Sequence, residues 1–159
     1  MAIELVLDPP RGVAPVRLGM TLEEAVEAVS GWGTPRVFGP FAHDPSMDFD
    51  IELDGVGFQA LLERDERVTA VELWWPGEGR VSTTRVLLEG DDVFTTPADE
   101  ILERAAARGW TVDASNPERP FIPGVTLAFT RETSQEVPRD RHGLPTYFTS
   151  VLVGDENYE

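Results

Sequence analysis

Cysteine is absent from this chain, and with it go disulfides, thiolate metal sites, a sulfur nucleophile and a cysteine-borne lipid anchor. The reading that follows is a reducing compartment, the cytoplasm. Lysine is absent as well, so all 13 basic side chains besides histidine are arginines. That excludes a phosphate-binding Gly-x-x-x-x-Gly-Lys loop and the Ser-x-x-Lys hydrolase arrangement, and no serine sits in a Gly-x-Ser-x-Gly elbow. No apolar run approaches the roughly 20 residues of a membrane helix, and residues 1–10 have neither a basic segment nor an apolar signal core. Export is not expected. Arginine in place of lysine, beside plentiful alanine, glycine and proline, reads as the coding bias of a GC-rich, actinobacterial-type genome.

What the chain has in excess is acid. Its 29 acidic residues leave a formal charge of −16 over 159 residues. Residues 1–80 carry 15 acids and 6 arginines (−9), and residues 81–159 carry 14 acids and 7 arginines (−7). Because both halves repel phosphate, direct nucleic-acid binding is not expected. The plain reading is a soluble surface, and the sharper one is attraction to a basic protein partner. A chain of this length hides about 69% of its surface on folding, so a single domain holds together without covalent or metal staples.

Local patterns predict an α+β fold. Thr21 and Glu24 form a capping box ahead of a stripe made by Leu22, Ala25, Val26 and Val29, with Gly31 or Gly33 as its end. A second helix is expected from Thr96 as cap and Pro97 as first helical residue. Ile101, Leu102, Ala105 and Ala106 are its inner face, and Gly109 is its close. Around the helices, strands are expected at 3–7, an edge strand or strap, and at 49–53, 56–62, 68–75, 85–88, 110–112, 125–129 and 147–153. Asp54-Gly55 is the turn of a tight hairpin. The architecture so predicted is a mainly antiparallel sheet with two short helices on one face. A Gly-Trp pair after each helix, Gly31-Trp32 and Gly109-Trp110, raises a duplicated α-β-β unit with pseudo-repeats at 14–76 and 84–154.

Val16-Arg17-Leu18-Gly19-Met20-Thr21-Leu22-Glu23-Glu24-Ala25-Val26, followed by Gly31-Trp32-Gly33-Thr34-Pro35, resembles the opening of a helix-plus-β-meander module. That module occurs in the small lipoproteins of the outer-membrane β-barrel assembly machine and, in tandem, in the β-lactamase inhibitor proteins of streptomycetes. The resemblance spans about twenty residues. It implies a non-enzymatic sheet whose exposed face grips another protein. The lipid-anchor cysteine of the first group and the secretion signal and disulfides of the second are missing here, so their locations and partners are not implied.

Candidate site residues fall into two groups. The adjacent Trp74 and Trp75 must point to opposite faces of a strand, which leaves one either as a partner anchor beside Glu72 and Glu78 or covered by Pro76 and a crossover strap. Asp48, Asp50, Glu52 and Asp54 share one strand face, read as solvated or partner-facing rather than as a calcium site, whose tight oxygen-rich loop is missing. The alternative group is His43, Asp44, Asp140 and His142, an acid/base or metal site if the fold joins its two loops. No cofactor is expected. The leading function is a protein-binding module, with an immunity protein or inhibitor of a basic toxin or enzyme as the form considered. The alternatives are a small metal-dependent or acid/base enzyme and a structural or regulatory domain.

Overall fold

In the computed structural model the described residues are 3–40, 42–43, 46–63, 66–75, 82–131 and 137–155. The chain runs β1 (Glu4–Asp8), β2 (Gly12–Ala14), β3 (Val16–Arg17), α1 (Leu22–Val29), β4 (Arg36–Phe38), β5 (Met47–Leu53), β6 (Val56–Leu62) and β7 (Ala70–Trp74). It continues through β8 (Arg85–Leu88), β9 (Asp91–Asp92), α2 (Ala98–Ala107), β10 (Phe121–Ile122), β11 (Leu127–Thr130) and β12 (Ser150–Gly154). The fold is α+β, as the patterning predicts, with two sheets and two short helices.

The larger sheet is antiparallel throughout, in the order β10-β11-β12-β7-β6-β5-β4. Its central β12–β7 pairing joins the two halves of the chain. Asp54 and Gly55 both take positive φ, 51° and 87°, which closes the two-residue hairpin between β5 and β6 with the twist those strands need. The smaller sheet runs β3-β2-β1-β8-β9, with β1 and β8 parallel. Phe49, Ile51, Phe58, Leu73, Val151 and Phe129 line the inner face of the larger sheet. They share one continuous core with Leu5, Leu7, Val13 and Val86 of the smaller sheet and with Ala25, Val29, Ala98, Ile101 and Ala105 of the helices.

Both halves of the capping box form on α1, with Thr21 Oγ1 accepting from the Glu24 amide and Glu24 accepting from the Thr21 amide. Gly109, at φ 92°, closes α2, and the amides of Gly109 and Trp110 donate to the carbonyls of Ala106 and Ala105.

Several expectations are corrected. The first strand is not an edge. Prolines 9 and 10 end it, but the chain reverses and β2 pairs on one side while β8 pairs on the other. Thr96 does not cap α2. Pro97 takes the cap position, and the Ala98 amide is satisfied by the Thr146 carbonyl from a distant loop, a tertiary substitute for a side-chain cap. Ala106 is exposed rather than inward. Residues 110–112 form no strand. Trp110 is taken up by the helix close, and pairing begins at the single bridge Asp113–Phe121. Residues 123–125 make one 3-10 turn and Thr126 turns left-handed at φ 47°, so β11 starts only at Leu127. The last strand starts at Ser150, not 147.

Candidate functional site

The side chains that alternate away from the core assemble on the outer face of the larger sheet, in two cross-strand rows. Arg36, Asp50, Gln59, Glu72, Leu152 and Ala128 face one another in the first. Glu52, Gly57, Trp74, Ser150 and Thr130 form the second. Asp48 lies at the end of the same face, opposite Leu61. The polar side chains in these rows are half-buried or exposed.

The two tryptophans divide as a strand geometry requires. Trp75 is 6% exposed and enters the core, whereas Trp74 is 37% exposed and stays on the outer face. Each indole covers a glycine of the β5–β6 hairpin. A Cβ on Gly55 would collide with the Trp75 ring, and one on Gly57 would fall inside the Trp74 ring. Trp74 therefore lies with one ring face down on bare backbone, and its other face is presented outward. Glu78 lies outside the described residues.

The charge around Trp74 is mostly negative. Asp50 accepts a hydrogen bond from Arg36 Nε at 2.9 Å, and among the described residues this is the one ion pair on the face. Glu72 is half-buried among its neighbours, and that desolvation raises its pKa above the usual glutamate value with no described cation to oppose it. A hollow of about 630 Å³ opens at this end of the face, where Trp32, Arg36, Asp50, Glu52, Gly57 and Trp74 meet. It exists because β4 pairs with β5 only over Asp48–Asp50 while β5 continues to Leu53. Pro35 cannot donate to the ladder and stands where β4 would have to extend. Asp54, next along the chain, is a fastener rather than a site residue. It accepts from the Thr83 amide and hydroxyl and from Ser82, bonds that hold its carboxyl below the usual range.

The histidine group is not brought together. His43 hangs from the β4–β5 connection, which enters β5 at Met47. His142 belongs to the β11–β12 connection, which leaves and re-enters the sheet at Thr130 and Ser150, in line with Glu52. Opposite ends of the strands therefore carry them, about 17 Å of strand apart. Asp44 lies outside the described residues. Asp140 holds its own loop: burial pushes its pKa up, but the amides of His142 and Leu144 and the Arg131 guanidinium outweigh this and keep it low. Among the described residues, no three metal-ligating side chains cluster. No described helix is long and apolar enough to cross a membrane.

No family model, no curated protein and no solved structure matches this chain.

One residue that the sequence does not single out organises the region behind the sheet. Arg131, 4% exposed, donates to the Pro117 carbonyl and to Asp99 of α2, stands 3.6 Å from Asp140 and lies over the Phe148 ring. It ties two loops to a helix start. No local signal marks it, because its partners lie 9 to 32 positions away and converge only in the fold.

Proposed function

We propose that this chain is a non-enzymatic cytoplasmic binding protein that grips a partner with a basic surface, in the manner of an immunity protein or inhibitor. The contact surface is the outer face of the seven-stranded sheet. The observation that carries this reading is Trp74, a large aromatic side chain held flat and half-exposed beside Asp50, Glu52 and Glu72, with Asp48 farther along the same face. A rigid aromatic anchor in a charged surround is the composition of an interface hot spot, and an acidic surround selects and steers a basic partner. The order of a helix followed by antiparallel strands occurs in both halves, the order that the module resemblance implies.

A photo-cross-linking amino acid at Gln59, the centre of the face, tests the proposal against the same probe at Glu103 on the exposed side of α2. In cells of the source organism the Gln59 probe is expected to capture one defined protein with a basic surface, and the Glu103 probe is not. Equal capture from both positions, or none from Gln59, would overturn the reading.

A further inference from the structure

We propose that the hollow beside Trp74 is a receptor for one guanidinium group, the arginine side chain of a bound protein. The face as a whole explains a preference for basic surfaces, but the hollow has a narrower chemistry. Part of its wall is the indole of Trp74, one face of which is already seated on Gly57. A planar cation stacking there gains the attraction of the ring's negative face and needs no rearrangement of the ring.

Carboxylates stand where the edge of such a cation would reach. Glu52 faces Trp74 across Gly57 in the same cross-strand row, and Gly57 adds no side chain between them. Asp50 contributes from the neighbouring row, with Oδ1 engaged by Arg36 and Oδ2 without such a bond among the described residues. Glu72, two residues before Trp74 on the same side of the strand, adds a third negative charge, half-buried and unpaired among the described residues. Against these three carboxylates stands one cation among the described residues, Arg36, whose side chain is 76% exposed. Among the described residues, charge in and around the hollow is therefore short of one or two positive groups, and a guanidinium supplies one together with a planar fork of donors matched to carboxylate oxygens. Lysine presents a compact, strongly hydrated charge that neither stacks nor forks, so arginine is the occupant that this geometry favours.

The inference rests on the proposed function only in saying who carries the cation, so its test uses a free probe. N-acetyl-arginine amide is titrated into the isotope-labelled full chain while the indole N–H signals of the four tryptophans are followed by NMR. The Trp74 and Trp32 signals are expected to move saturably, with a dissociation constant on the order of 1 to 10 mM for so small a ligand, while those of Trp75 and Trp110 stay still. Glu52→Gln, at an exposed position where folding is not at stake, is expected to weaken binding several-fold. Trp74→Leu, which keeps an apolar cover on Gly57 but removes the ring, is expected to abolish it.

Equal shifts with the neutral isostere N-acetyl-citrulline amide would overturn the cation assignment. Equal affinity for the lysine amide would overturn the choice of guanidinium. A silent titration alongside successful cross-linking from Gln59 would remove the hollow and leave the binding face standing. Arginine binding without any cross-linked partner would do the reverse.

Discussion

The two faces of the seven-stranded sheet use the same strands for opposite ends. On the inner face every second residue of β5, β6 and β7 is buried in one apolar core, and Phe49, Phe58 and Leu73 are fully enclosed. On the outer face the alternate residues of the same strands include Asp48, Asp50, Glu52, Gln59, Glu72 and Trp74, none of them enclosed, while the small Gly57 and Ala70 of that face are buried. The inner face has many mutually supporting contacts that hold the fold. Among the described residues the outer face keeps a desolvated glutamate without a counter-charge and a half-exposed indole, both costly to leave uncovered and both useful to a partner.

If that division is right, substitutions one residue apart should have very different consequences. The largest effect is expected at Phe58, where Ala removes a fully buried ring stacked on Phe49 and edge-on to Trp32. A loss of about 3–5 kcal/mol in denaturant unfolding is predicted there, against a change within about 0.5 kcal/mol for Gln59→Ala next to it. The tryptophan pair gives the same contrast. Trp75→Ala should cost about 3–5 kcal/mol and Trp74→Ala under about 1 kcal/mol, measured in the same way. Similar values for the two would erase the distinction between the faces.

Acid titration sharpens the comparison, because carboxylates of the fasteners and of the face shift in opposite directions. Asp54 and Asp140 are held below the usual carboxylate range in the folded state. Their stabilisation is present above the unfolded pKa of about 4 and is lost as pH falls through the lower folded value. Asp54→Asn should therefore lower the thermal midpoint at pH 7 and flatten its decline in acid. Glu72 is raised instead, so its ionised form is the one that folding disfavours. Neutral pH carries that penalty, and the penalty is relieved as pH falls from the folded toward the unfolded pKa. Glu72→Gln is predicted to raise the midpoint by about 1–3 °C at pH 7, with the advantage gone below about pH 4. This is the smallest effect, and a Glu72→Gln protein that melts lower at pH 7 would count against an unpaired glutamate.

Much of this arrangement was legible from local chemistry. The capping box at Thr21, the Asp54-Gly55 turn, the glycine close of α2 and the in-out alternation of residues 48–54 each involve neighbours in sequence, and each forms. So does the split of Trp74 from Trp75, which follows from the two-residue period of a strand. What local reading missed depends on distant partners. The Ala98 amide is capped by Thr146, β1 is made internal by β8, and Arg131 gathers Pro117, Asp99 and Asp140. The hollow beside Trp74 also lay out of reach, since it arises from the early end of β4 and from Gly57 lying under an indole two strands away from Asp50.

The central claim, that the outer face is built for a basic partner while the inner face is built for the fold, is tested most directly by the cross-linking yield from Gln59. That yield should be compared between the parent chain and Trp74→Ala, at low and at raised salt. The account predicts that it falls with salt and disappears in Trp74→Ala at an almost unchanged melting temperature. A yield indifferent to both would contradict it.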